Sequence, residues 1–298
     1  MTRHDALSLA TQKFVTIDNN TPDEARSLAL ELLEWITNTH RTEFLTHLTA
    51  VLTGDEIAHL HQAIKEYTVD HKPIQYLLGS VPFLSATIRV RPPLLIPRPE
   101  TEQWVDYCIK KLKLSSRPLC MLLDMCAGSG CVAVALAQAF PEATIYAVDS
   151  SAEAVALTQE NAVLNGCSNI ITYTSDLFTH LPDTLLFDCI VSNPPYVTET
   201  EWLNLDPHIT QWEDRNALVA DDNGLAIIKH IIQESPHRLT DTLSCSSEEI
   251  PQLLIEHADS QAPAVTHLMQ ESGFLSTTFL DLAGKKRFSI GRIPCLPT

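Results

Sequence analysis

Apolar positions recur at helical spacing through the first 80 residues. In TPDEARSLALELLEWITN (21–38), Ala25, Leu28, Leu32, Trp35 and Ile36 fall on one face. Thr21 is placed to cap this helix, Pro22 to open it and Glu24 to complete a capping box. TGDEIAHLHQAIKEY repeats the logic, with Ile57, Leu60, Ala63 and Ile64 forming the stripe. The next stretch is different: ATIRV alternates apolar and polar residues as a half-exposed strand does, and Pro92, Pro93 and Pro97 forbid a helix around it. A helix is predicted from about Glu100 to Leu112, with SSRP (115–118) as a loop. From Leu119 onward strand-like runs alternate with helix-like runs: CMLLDM, CVAVALAQAF, ATIYAVD, AEAVALTQENAVLN, IITYTSD, LFDCIVSN and then GLAIIKHII. Such alternation predicts an α/β fold with a parallel sheet covered on both faces. The predicted organisation is a helical bundle over 1–80, a hairpin linker and helix over 81–117, and the α/β domain over 118–298.

Composition narrows the setting. The chain has 298 residues and 45% hydrophobic content, enough for a sizeable core. It contains no apolar run of the length needed to span a membrane, and MTRHDALSLATQKFV does not read as a secretory signal, so a cytoplasmic protein is expected. None of the eight cysteines forms a C-x-x-C pair, which predicts reduced, mostly buried thiols and no metal. The net charge is −17, and from Met121 to Asp214 there is neither Lys nor Arg. A protein that grips phosphates needs cations near its working site, so a nucleic-acid substrate is disfavoured and no direct nucleic-acid binding is expected. Acidic surfaces also serve solubility alone.

That cation-free stretch holds the candidate chemistry. LLDMCAGSGCVAVALA reads as strand, tight loop and helix, with Gly128 and Gly130 permitting positive φ and close backbone approach. Asp149 closes the next strand, where a carboxylate accepts hydrogen bonds from ribose hydroxyls; DSSAEA would equally make it a helix N-cap. GSGCVA also satisfies the dinucleotide pattern G-x-G-x-x-G/A, a weak signal by itself. Two carboxylates tilt the choice toward S-adenosylmethionine (SAM). Asp124, just before the glycines, suits the cationic amino end of SAM and would repel a pyrophosphate. Asp176 in TSDLF follows a third strand, where a carboxylate can accept from an adenine amino group.

SNPPY (192–196) follows the apolar run FDCIV. Pro194 and Pro195 fix their own φ, restrict the residues before them and offer no N–H. The result is a rigid acceptor pair, the Asn193 side-chain oxygen and the Pro194 carbonyl, beside the Tyr196 ring. A planar NH2 group, with two donors to place, fits such a pair. An Asn-Pro turn after a strand is by itself most often only a turn; the glycine loop upstream is what raises the functional reading.

With these residues in view, the chain resembles the bacterial release-factor glutamine methyltransferases (the PrmC/HemK family). NPPY after FDCIVS looks like the catalytic motif of amino-group methyltransferases, and DMCAGSGCVAVALA like their SAM loop. KPIQYLLGSVPF and LLIPRPETEQWV resemble the family's linker, with PRPETE (97–102) the most specific signal. EDRNALVADDNGL and GFLSTTFLDLAGKKRFSIGR also look familial. The resemblance implies a Rossmann-like SAM-dependent methyltransferase domain preceded by a helical bundle that docks substrate. It implies N5-methylation of the glutamine in the Gly-Gly-Gln motif of peptide-chain release factors. Asp124, Cys126, Ala127, Gly128, Ser129, Gly130, Asp149, Asp176, Leu177 and Asn193 would contact SAM. Asn193, Pro194 and Tyr196 would be catalytic, and residues 193–196 would hold the substrate glutamine. Arg98 and Glu100 either brace the site and the substrate approach or form a hinge salt bridge.

The sequence departs from the family pattern at three places. Cys126 stands where the family commonly has its first glycine, and Leu177 where an aromatic residue often packs on adenine. Residues 234–252 lack the usual Pro-Gly-Gly turn, although LLIEH still reads as a strand. The rival readings are a ribosomal-protein glutamine methyltransferase, an adenine-N6 DNA methyltransferase, a nicotinamide-dependent dehydrogenase and a SAM-binding protein without turnover. The dehydrogenase leaves NPPY and PRPETE unexplained.

Overall fold

The computed structural model describes residues 1–17, 21–240 and 250–294. It contains two compact units, Met1–Gly79 with Leu205–Glu213, and Ser80–Asn204 with Asp214–Thr298.

The first unit holds helices α1 (Arg3–Val15), α2 (Pro22–Thr37), α3 (Arg41–Thr46), α4 (Gly54–Thr68) and α5 (Ile74–Leu78). Capping boxes start α1, α2 and α4 at Thr2, Thr21 and Thr53. At α2, Thr21 N–H donates to Glu24 Oε2 at 2.8 Å and Glu24 N–H returns to Thr21 Oγ1 at 3.3 Å, which satisfies two donors the helix leaves unpaired. Ala25, Leu32, Leu60, Ala63 and Ile64 enter one core with Phe14 and Phe44. Trp35 corrects the predicted stripe: it is 50% exposed, and Leu30 and Leu33 supply α2's buried face in its place. Residues 205–213, expected within the α/β domain, group with this unit. There the His208 ring bridges Asp206 Oδ1 (2.9 Å) and the Tyr67 carbonyl (3.1 Å), and Trp212 Nε1–H donates to the Asp70 carbonyl (2.9 Å).

The second unit opens with an antiparallel hairpin, β1 (Ser80–Phe83) and β2 (Ala86–Arg89), followed by α6 (Pro99–Leu112). A seven-stranded sheet then forms from β3 (Met121–Met125), β4 (Thr144–Asp149), β5 (Ile170–Thr174), β6 (Cys189–Ser192), β7 (Leu253–Glu256), β8 (Leu275–Leu280) and β9 (Lys286–Arg292). The main helices are α7 (Cys131–Ala139), α8 (Ala152–Leu164), α9 (Ala226–Glu234) and α10 (Ala262–Glu271). Strand order is β5-β4-β3-β6-β7-β9-β8; β3 to β7 run parallel, and β9 and β8 pair antiparallel at one edge. The fold is the expected Rossmann-like α/β class.

Alternation along the strands divides the sheet's two faces. Leu123, Met125, Ile190, Leu253 and Ile255 pack with Ile228, Ile231 and Ile232 of α9 and Val265 and Met269 of α10. Leu122 and Asp124 point the other way, and α7 lies against β3 and β4. Among the described cysteines, Cys108, Cys131 and Cys189 are buried free thiols, whereas Cys120 is exposed; Cys245 and Cys295 lie outside the described residues. Of the segment lacking the Pro-Gly-Gly turn, 241–249 also lies outside them, and LLIE of the predicted strand LLIEH forms β7. No described helix is long and apolar enough to cross a membrane.

The α2 capping box carries a stability prediction. Thr21→Ala should cost about 1 kcal/mol in urea unfolding, and Thr21→Asp should retain most of that stability; equal stability of all three proteins would contradict the capping assignment.

Candidate active site

Chain order and spatial order diverge at β3. The chain runs from β3 outward to β4 and β5, then returns to place β6 on β3's other side. In parallel α/β sheets a crevice opens at such a reversal, beyond the strands' carboxyl ends. Met125 pairs with Ser192, and Ser192 Oγ donates to the Met125 carbonyl at 2.7 Å. The next residues are Cys126 on one strand and Asn193 on the other. The glycine loop and the N-P-P-Y corner therefore leave the sheet side by side.

A cavity of about 350 Å³ lies there, walled by Cys126 and Gly128 after β3, Asp149 to Ser151 after β4, Ser175 to Leu177 after β5, and Asn193 and Pro195 after β6. A recess of about 40 Å³ is lined by Arg98, Asn193, Pro194 and Tyr196. A second, of about 30 Å³, lies beneath the loop among Asp124, Ala127, Ser129 and Asn193. Gly130 and Glu100 line none of these three; Glu100 sits in the first turn of α6, just after Arg98 at the N-cap position.

The loop's conformation explains its residue types. Cys126 has φ +65°, Gly128 +55° and Gly130 +77°. A glycine at the first position is free in this left-handed region, whereas Cys126 bears a cost of about 1–2 kcal/mol. Leu177 is left-handed too, at φ +47°, and buried. Gly130 has a second requirement: a Cβ there would lie 2.7 Å from the Thr158 side chain.

Asp149 ties the loop down. Its Oδ2 accepts from Gly128 N–H (2.8 Å) and its Oδ1 from Ser151 N–H (2.9 Å), while Ser151 Oγ caps α8 by accepting from Ala154 N–H (3.2 Å). Asp149 is thus relieved of the capping role, and each oxygen keeps a lone pair for a ligand hydroxyl. Burial pushes its carboxyl above the ordinary value, against the pull of these N–H groups. Asp124 sits deeper than expected, 1% exposed, with Oδ2 accepting from Ala133 N–H (2.9 Å) in the first turn of α7. Burial, aided by the Asp149 charge, pushes Asp124 up to about 8.

The cavity's donor set fits SAM. Asp149, Asp176, Asp214 and Asp221 all border it, beside Arg215, which pairs with Glu199. A cation bearing ribose hydroxyls suits this rim; a pyrophosphate would face four carboxylates. Among the described residues no cluster of His, Cys, Asp or Glu is arranged to hold a metal.

The N-P-P-Y corner is held on several sides. Val197 N–H donates to the Leu218 carbonyl (2.8 Å), and Ala220 N–H to the Val197 carbonyl (3.1 Å). Gln261 Nε2 donates to the Tyr196 carbonyl (2.8 Å) and the Asn223 carbonyl (3.0 Å). Gly224 passes so close that a Cβ would collide with the Tyr196 carbonyl. This accounts for ADDNG, in which Asp222 and Asn223 are also left-handed. Asn193 Nδ2 donates to Thr101 Oγ1 (3.0 Å), and Tyr196 Oη to Glu256 Oε1 (3.0 Å). Sequence reasoning singled out neither Thr101, Glu256, Gln261 nor Gly224. The available signal was Glu256 itself, a charge ending the otherwise apolar run LLIE.

Two family models match this chain, the PrmC N-terminal domain over residues 5–79 and the methyltransferase small domain over 110–211. A release factor glutamine methyltransferase of Thermodesulfovibrio yellowstonii is 34% identical over 79% of this chain and 81% of its own length. Proteins of the same name from Salmonella typhimurium (35% over 91% and 93%) and Escherichia coli (36% over 88% and 90%) match nearly end to end. The chain belongs to the release factor glutamine methyltransferase family. In this SAM-dependent methyltransferase family member, Cys126 holds the left-handed backbone at the loop's first position.

The Asp124 shift sets a pH dependence. A carboxyl at about 8 when folded and near its ordinary 3.8 when unfolded keeps its proton in the folded state across that window. Its stabilising contribution is complete below pH 3.8 and is lost as pH rises through about 8. Asp124→Asn removes this component. Its stability relative to wild type should rise from pH 5 to pH 8, by at most about 4 kcal/mol at 1.4 kcal/mol per pH unit. A pH-independent difference in denaturant unfolding would contradict the assignment.

Proposed function

We propose that this protein transfers a methyl group from SAM to the side-chain nitrogen, N5, of the glutamine in the Gly-Gly-Gln motif of peptide-chain release factors. One observation carries the reading: the parallel pairing of Met125 with Ser192, from which the glycine loop and the Asn193–Tyr196 corner open onto shared space. Family membership supports the glutamine, and the match of residues 5–79 to the PrmC N-terminal domain favours release factors over ribosomal proteins. The absence of Lys and Arg from Met121 to Asp214 weighs against a flipped DNA base.

An amide nitrogen is a poor nucleophile because its lone pair is delocalised into the carbonyl. The Asn193 Oδ1 and the Pro194 carbonyl accept its two N–H groups and fix the face it presents. Positioning of this kind supplies up to roughly 7–11 kcal/mol in ideal systems. Acceptors set before reaction also stabilise positive charge developing on the nitrogen. Tyr196, its hydroxyl anchored on Glu256, shields the site and offers its ring face to that charge. Burial and the Glu256 carboxylate hold the phenol well above its ordinary pKa, so it stays protonated and is not a base. Cys126, Gly128, Asp149, Asp176 and Leu177 would hold the cofactor, with Asp124, Ala127, Ser129 and Gly130 shaping the loop from below. SAM, when bound, would supply an electrophilic methyl group whose transfer leaves a neutral thioether, and the substrate nitrogen releases one N–H proton to water after transfer. Arg98, beside Pro194 and Tyr196, lines the substrate approach, and Glu100 supports it from α6.

Asn193→Ala should abolish methyl transfer to a release factor while leaving SAM binding within about tenfold, equivalent to about 1.4 kcal/mol. Labelled-methyl incorporation and titration calorimetry measure the two effects; unchanged turnover would refute the role of Asn193.

A further inference from the structure

Behind the N-P-P-Y corner lies a buried polar cluster. Glu256, 1% exposed at the end of β7, accepts three hydrogen bonds. They come from Trp104 Nε1–H (2.6 Å) and Thr101 Oγ1–H (2.7 Å), both to Oε2, and from Tyr196 Oη–H (3.0 Å) to Oε1. Three donors converging on one carboxyl suit the ionised, acceptor-only form. Burial pushes the carboxyl up, while the donors and the Arg287 guanidinium pull it back.

The consequence runs through Thr101. A hydroxyl has one hydrogen, and Thr101 commits it to Glu256. Its oxygen can then only accept, so of the two ends of the Asn193 amide it selects the NH2. Asn193 Nδ2 does lie 3.0 Å from Thr101 Oγ1. Because the amide is planar, Oδ1 is left on the opposite branch. Were Thr101 to turn its hydrogen toward Asn193, it would select Oδ1 and remove the acceptor the reaction needs.

We propose that Glu256, through Thr101, is the positioning device that sets the amide orientation of Asn193, and that the same carboxylate, with Trp104 as its third donor, fixes Tyr196. The inference rests on the reading of Asn193 as the acceptor for the substrate NH2. It gives PRPETE and LLIE a shared purpose: one supplies the hydroxyl and the other the carboxylate that polarises it. Thr101, Trp104 and Glu256 are positioning residues and need touch no reacting atom.

Thr101→Val keeps the shape and removes the relay; Thr101→Ser keeps the hydroxyl. Single-turnover methyl transfer at saturating SAM, SAM affinity by calorimetry and thermal unfolding are measured on the full chain. We expect Thr101→Val to lose at least tenfold in rate with SAM affinity within twofold of wild type, and Thr101→Ser to stay within threefold on both. Should Thr101→Val not fold, Glu256→Gln carries the same expectation, since its NH2 cannot accept from all the present donors. A rate within twofold of wild type for the folded variant, or an equal loss in Thr101→Ser, overturns the proposal. Wild type methylating some other amino group would refute the release-factor reading alone; the same rates on that acceptor would still decide the relay.

Discussion

The pairing of β3 with β6 is the constraint on which the site depends. Neither half is a methyltransferase site by itself. The loop after β3 is a ligand cradle that a dehydrogenase could share, and the corner after β6 is a rigid turn. Parallel register at Met125 and Ser192 makes them neighbours, although 62 residues separate Asn193 from Cys131 at the start of α7. Between β3 and β6, helices α7 and α8 and strands β4 and β5 form the sheet's other wing and return the chain to β3.

Around this pairing the backbone accepts strain and the surrounding groups hold it. Cys126 and Leu177 sit in the left-handed region at a cost that glycine would avoid, and both line the cavity. Asp149 secures the loop from β4, Asp124 from beneath through α7, and Thr158 by packing on Gly130. The corner is secured from α6, from β7, and by Gly224 and Gln261. Carboxylates predominate in this machinery. Those facing the cavity suit a cationic cofactor, and those buried behind it, Glu256 above all, organise donors.

Much of this was legible in the residues. Capping boxes at Thr21 and Thr53 are local chemistry, and the alternation after Leu119 identifies a parallel sheet because each run is short and apolar. The loop and the corner were readable because glycine and proline report backbone conformation directly. What escaped was of another kind. Trp35 fits a helical stripe yet stays exposed, since periodicity states which residues share a face and not where the core ends. Residues 205–213 join the helical unit through His208 and Trp212, a tertiary choice with no local signature. Thr101, Gln261 and Gly224 matter only because of what folds against them. The depth of Asp124 was not legible either: it lies under the loop, its Oδ2 held by Ala133 N–H in the first turn of α7.

If the space shared by the two adjacent strand ends joins the methyl donor to one glutamine amide, the methyl group must appear on that amide. Incubation of the protein with isotopically labelled SAM and a release factor, followed by peptide mass spectrometry, tests it directly. A single label is expected on the glutamine of the Gly-Gly-Gln motif. A label on any other residue, or none on that glutamine while another acceptor such as a ribosomal protein is methylated, would contradict it.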